Sequence, residues 1–206
     1  MNKQSASKSA PTRGPAEHSV RDQIVEAAHE HFAHYGYAKT TVADLAREIG
    51  FSKAYIYRFF ESKQAIGEAI VGECLDEIFA KAREAVESGR DVNDKLRKFA
   101  KTVTSATMEV AFNDRKIYEV ATHASSENWA PVQAYVERLQ AFLEDILKEG
   151  RESGQFERKT PIDETRRAIY YALLPFIDPV FLQRSIDLLP DAQTEVINLI
   201  LRSLAP

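Results

Sequence analysis

From Ser19 onward, apolar side chains recur every three or four positions, and no stretch alternates apolar with polar residues for long enough to make a strand. This periodicity constrains the fold more than any other feature, because it requires helices that each bury one stripe against a neighbour. "SVRDQIVEAAHEHFAHYG" sets Ile24, Ala28, Phe32 and Tyr35 at helical spacing and stops at Gly36, a natural C-cap. "TTVADLAREIG", Thr40 to Gly50, carries Val42, Leu45, Ala46 and Ile49 as its stripe. Thr41 caps it, and Asp44 at the third helical position completes a weak capping box. A very short helix starts at Ser52. A longer one starts at Ser62 with Ile66, Ile70, Cys74, Ile78 and Phe79 inward; Gly67 and Gly72 weaken it in isolation, so tertiary packing must hold it. Breaks follow at Ser88–Asp94, Phe112–Lys116, Ser125–Pro131, Glu149–Pro161, Asp178–Pro179 and Leu188–Gln193. The expected fold is all-α with about nine helices. Its parts are a disordered basic arm over residues 1–18, a small unit over 19–64 and a larger one over 65–206.

Composition removes several function classes. The single cysteine, Cys74, excludes an internal disulfide and any metal site built from several thiolates, and its place on an apolar helix face makes it inert. Neither a Gly-rich phosphate loop, a His-Glu zinc pattern nor a nucleophile elbow is present, so no catalytic residue, metal or cofactor is expected and the chain does not read as an enzyme. No apolar run approaches the roughly 18–20 residues that span a bilayer. The nearest, Ala168 to Leu182, is interrupted by Pro175, Asp178 and Pro179, and the first residues lack the apolar core of a secretory signal. A cytoplasmic protein with no membrane partner is the expectation. The net charge of −4 is unevenly spread: residues 1–60 carry eight Lys or Arg against six Asp or Glu, and the remainder nineteen against twenty-five. An amino-terminal end that meets an anion would have this asymmetry.

The segment "GFSKAYIYRFF", Gly50 to Phe60, sharpens that idea. A helix, a turn at Gly50 and a second short helix make a helix-turn-helix. Ile56, Phe59 and Phe60 pack back on Leu45, Ile49 and the first helix, which leaves Lys53, Tyr55, Tyr57 and Arg58 facing elsewhere. Long side chains with charged or hydrogen-bonding tips on a short helix suit the major groove of DNA. Lys53 and Tyr55 would reach base edges, and Tyr57 and Arg58 phosphates. Ser62 with Lys63, and Thr40 with Thr41, present further helix starts that accept anions.

"TTVADLAREIGFSKAYIYRFFESKQAI", preceded by "AAHEHFAHYGYAKT", closely resembles the DNA-binding domain of TetR-family transcriptional regulators over roughly residues 20–70. Phe32, Gly36, Tyr37, Thr40, Thr41, Ala46, Gly50, Ser52, Tyr57, Phe60, Lys63 and Ile66 stand where that family places such residues. The resemblance implies an all-α homodimer with three DNA-binding helices and a larger ligand-binding domain in each chain. It implies phosphate contacts from the Thr of the second helix, Tyr57 and Arg58, base contacts from Lys53, Ala54 and Tyr55, and a backbone clamp at Lys63. One departure is Tyr55, where a small or hydroxyl residue is usual. The bulkier ring leaves the operator sequence unreadable from relatives.

Beyond residue 70 the likeness is architectural. Two last helices, about 163–177 and 180–204, are similar in position to a four-helix dimer interface, with Ile169, Leu173 and Phe176 on one stripe and Val196, Ile197, Ile200, Leu201 and Leu204 on the other. Ordinary core packing is the alternative for both stripes. A pocket for a small-molecule effector of unknown identity is expected among the middle helices. Its candidate lining is Met108, Phe112, Tyr118, His123, Trp129, Phe142 and Tyr171, with Thr104 and Thr107 as polar handles. The expectation is a dimeric repressor released from a palindromic DNA operator by that effector. The alternative is a helical dimer that binds DNA constitutively, or binds a protein, with no effector.

Overall fold

A computed structural model describes residues 15–206. Among these it forms ten α-helices: α1 (Pro15–Tyr35), α2 (Val42–Ile49), α3 (Lys53–Ile56), α4 (Lys63–Glu87), α5 (Val92–Asn113), α6 (Arg115–Ser126), α7 (Ala130–Glu152), α8 (Ile162–Ile177), α9 (Pro179–Ser185) and α10 (Asp191–Ser203). One 3-10 turn, Ile186–Leu188, follows α9. The arm expected over residues 1–18 lies outside the described residues except for its last four, which belong to the first turn of α1. The expected long final helix is interrupted. Pro190 has no N–H to donate and disfavours helical backbone at Leu189, so the chain leaves α9 through the 3-10 turn before α10 begins.

Local chemistry accounts for the first helices. Thr41 caps α2 with a complete capping box: its hydroxyl accepts from the Asp44 amide, and the Asp44 carboxylate accepts from the Thr41 amide. Gly50 ends α2 at φ +77°, a backbone that disfavours residues with a Cβ. The Ser52 hydroxyl accepts from the Tyr55 amide at 3.1 Å and starts α3, a single helical turn followed by hydrogen-bonded turns through Phe59.

Two cores sit at opposite ends of α4. The amino-terminal one gathers Ile24, Ala28 and Phe32 of α1 with Leu45 of α2, Ile56 of α3, Phe60, and Ile66 and Ile70 of α4. Ile117 of α6 joins it from the other unit. The larger one packs the second half of α4 with α5, α7, α8 and α10 around Leu96, Phe99, Leu139, Leu143 and Leu173. A third, small cluster of Val71, Val120, Ala124 and Trp129 lies where α4, α6 and the α6–α7 loop meet. Here Gly67 has its reason: a Cβ would lie 3.0–3.1 Å from the rings of Trp129 and Tyr37. No helix among the described residues is long and apolar enough to cross a membrane.

Candidate functional site

The surface around α3 is set by three buried anchors, Ile56, Phe60 and Leu45, which fix the helix and leave its other faces free. Lys53, Ala54, Tyr57 and Arg58 are exposed, with Tyr57 at 44%. The Lys53 ammonium lies 5.6 Å from the Tyr57 ring centre. Tyr55 departs from the sequence expectation, because its ring is half-buried edge-on between Phe51 (5.0 Å) and Phe59 (5.3 Å). The guanidinium of Arg58 lies 5.4 Å over the same ring. Tyr55 therefore props the short helix while its neighbours project.

The hydroxyls at the start of α2 are differently placed from what the sequence suggests. Thr40 is only 2% exposed, and its hydroxyl donates to the Gly36 carbonyl at 2.9 Å and meets His31 Nδ1 at 3.1 Å. It is not free for an external anion. The Thr41 hydroxyl donates to Asp44 at 2.7 Å, and this bond with that from the Thr41 amide holds the Asp44 carboxyl below its ordinary range. The Asp44 carboxylate thus takes both the hydroxyl and the amide hydrogen of Thr41. Lys63 also turns inward: its ammonium donates to the Tyr37 carbonyl at 2.9 Å and lies 4.2 Å from that ring's centre. Burial pushes its pKa down.

Tyr37 links the two units. Its ring meets Phe32 of α1 edge-on at 5.1 Å and packs at 5.6 Å against both Trp129 and His123. On the same side, Lys116 of α6 donates to the His34 carbonyl at the end of α1. Thus α6 touches the amino-terminal unit through Ile117, Lys116 and His123.

The other flank of α6 lines a cavity of about 60 Å³ shared with α4, α5, α7 and the α8–α9 junction. Its wall is mainly aliphatic, with Val71, Leu75, Ile78, Val136 and Leu139 prominent. Most polar groups in it are already used. Tyr118 donates to the Pro179 carbonyl at 2.8 Å, Ser125 to Asp178 at 2.6 Å, and Thr107 to the Val103 carbonyl at 2.9 Å. Asp178 also caps α9 by accepting from the amides of Val180 and Phe181. Burial pushes the Cys74 thiol up to about 11, and burial with Asp178 nearby takes Tyr170 to about 12.

Of the block of residues expected to line a pocket, Tyr118 and Thr107 do so. Thr104 is buried but accepts from Gln193 of α10 at 2.5 Å, away from the cavity. Phe142 is half-buried against Phe79 and Phe99 in the larger core, and Trp129 is buried against Tyr37. Met108 is half-buried and outside the lining, and His123 is exposed, as are Phe112 (69%) and Tyr171 (62%). The sequence missed Tyr135 and Tyr170. Val132, Tyr135, Val136 and Leu139 form an i, i+3, i+4, i+7 stripe that could have indicated the first.

The expected interface stripes are also corrected. Ile169, Leu173, Phe176, Ile197, Ile200 and Leu201 are buried within the single chain, and Val196 is half-buried against the same core. Packing α8 against α10 and α5 consumed that apolar surface. What stands outside is a different set: Tyr171, Phe181, Leu188 and Leu199, the last at 61%. Among the described residues no group of His, Cys, Asp or Glu could hold a metal ion.

Comparison with known proteins fits this arrangement. The family profile for bacterial regulatory proteins of the tetR family matches residues 24–70, and that for the tetracyclin repressor-like C-terminal domain matches residues 92–197. The transcriptional repressor KstR2 of Rhodococcus jostii is 26% identical over 145 residues, 69% of this chain and 71% of that protein. Among solved structures, the fatty acid degradation regulator FadR from Bacillus halodurans superposes with a TM-score of 0.65 at 23% identity, over 93% of this chain and 97% of that one. FadR from Bacillus subtilis in complex with stearoyl-CoA gives 0.64 at 20% identity, over 89% and 98%. With its helix-turn-helix and its helical second unit matched in turn, this chain belongs to the TetR family of bacterial transcription regulators and is a DNA-binding regulator.

Proposed function

We propose that the protein is a homodimeric repressor that reads a palindromic operator through α3 and leaves it when a small apolar molecule enters the cavity beside α6. The observation that carries the DNA half is the outward set Lys53, Ala54, Tyr57 and Arg58 on a helix locked by Ile56 and Phe60. Lys53 and Ala54 meet base edges, while Tyr57 and Arg58 meet phosphates. Tyr55 sets the angle of the short helix from between Phe51 and Phe59. Lys63 braces Tyr37 rather than the DNA backbone.

Two copies join through the exposed faces of α8 and α10 around Tyr171 and Leu199, where apolar side chains lie open to solvent. The pair then sets its reading helices about one helical turn of DNA apart, roughly 34–36 Å. A cavity of about 60 Å³ is much smaller than the roughly 300–1,000 Å³ of an occupied ligand pocket. An effector must therefore push its walls apart. Of those walls, α6 bears on both α1 and Tyr37, so its displacement changes the seating of the amino-terminal unit. The repressor KstR2 and the stearoyl-CoA-bound FadR are similar proteins, and they support a regulator of this kind.

A gel shift with the DNA immediately upstream of the gene tests the reading. We expect a specific complex at submicromolar protein that weakens steeply as salt rises. No specific shift at micromolar protein would contradict it. The narrow cavity favours a second reading, a dimer that binds the operator with no effector. A Val136→Trp substitution separates the two by filling the cavity: operator affinity persists in both, and an effector response exists to be lost only in the first.

A further inference from the structure

The cavity beside α6 is lined by a tyrosine whose buried hydroxyl nothing among the described residues satisfies. Tyr135 of α7 is only 6% exposed, yet its hydroxyl has no hydrogen-bond partner among the described residues. Buried hydroxyls are nearly always bonded, since leaving one unmade costs stability. Every other lining group with a defined bond points to an internal partner: Tyr118 to Pro179, Ser125 to Asp178, Thr107 to Val103. The Tyr135 hydroxyl stands as an unused donor in a wall that is mainly aliphatic.

The charges facing the cavity narrow the ligand further. Asp178 is the charged residue of the wall among the described residues, and no Lys, Arg or His lines it. A carboxylate or phosphate drawn into this space would be desolvated with no cation to meet it, beside an existing negative charge. Burial drives the Tyr135 phenol pKa upward, so the group stays protonated and able to donate.

We propose that the cavity takes an uncharged hydrocarbon body bearing a carbonyl oxygen, and that this oxygen accepts the Tyr135 hydroxyl hydrogen. The inference deepens the effector reading given above and rests on it. Any charged head the ligand carries stays outside the wall. An acyl thioester and a steroid ketone share the chemistry, and the two differ in body shape.

Calorimetric titration of the full chain tests this with four probes: 2-undecanone, decanoate, decanoyl-CoA and androst-4-ene-3,17-dione. The same probes are then added to the complex with upstream DNA. We expect at least one carbonyl probe to bind and to release the DNA, with decanoate at least roughly tenfold weaker than the best of them. The better of decanoyl-CoA and the steroid identifies the source of the carbonyl. Tyr135→Phe should weaken that probe by roughly tenfold. It should also melt at or above the temperature of the parent, because it removes an unsatisfied buried hydroxyl. Decanoate binding as tightly as the ketones, or Tyr135→Phe binding the best probe within about twofold of the parent, would overturn the inference while the effector reading stands. If no probe binds and none releases DNA, the inference falls, and the effector reading then passes to a general ligand screen by DNA release.

Discussion

In the amino-terminal unit, the large side chains left over once the core is built stand in solvent. Tyr57 and Arg58 project beside α3 while Ile56 and Phe60 vanish beneath it. The larger unit behaves the other way. Leu173, Phe176, Ile197 and Leu201, which by pattern could have served a partner chain, are inside, and the exposed large apolar residues are Phe112, Tyr171, Phe181, Leu188 and Leu199. The difference comes from helix length and neighbours. A one-turn helix has too little surface to bury every ring it carries. A long helix packed by three others has room for nearly all of its apolar stripe.

This contrast can be broken by substitution. The largest effect is expected at Leu173, where Leu173→Ala should cost about 2–5 kcal/mol in denaturant unfolding, as a core site does. A variant that dissociated without losing stability would return Leu173 to the interface. Next is Gly150, because a Cβ there would collide with the buried ring of Phe156. Gly150→Ala should cost about 1–3 kcal/mol, read by the same unfolding curve. Thr41→Ala should cost about 1 kcal/mol through the lost cap yet leave DNA affinity nearly unchanged, since its hydroxyl serves Asp44. Leu199→Ala should change stability by less than about 0.5 kcal/mol while sedimentation shows weaker self-association. Smallest is the thiol: with its pKa near 11, Cys74 should react with iodoacetamide at pH 8 far more slowly in the folded protein than after unfolding.

Much of the amino-terminal unit was legible because its signals are local. Thr41 with Asp44, Gly50, and Ser52 each specify a cap or a turn within three residues, and the structure uses each as read. Thr40 and Lys63 were harder. Their partners, His31 and the Tyr37 carbonyl, are separated from them by 9 and 26 residues. In the larger unit, periodicity said which side chains point inward but not toward what. Thr104 and Thr107 lie one helical turn apart on α5, yet the first bonds to Gln193 across the core and the second lines the cavity. Tyr135 escaped notice for the same reason, since an unsatisfied hydroxyl has no signature until its surroundings are known.

The central claim is that the outward side chains beside α3 hold DNA. Fluorescence anisotropy of labelled upstream DNA, titrated with the parent and with Arg58→Ala at several salt concentrations, tests it most directly. Arg58→Ala should weaken operator and unrelated DNA alike and make the dependence of log affinity on log salt shallower by about one. Parent-like affinity with an unchanged salt slope would show that Arg58 touches no phosphate and that the DNA is held elsewhere.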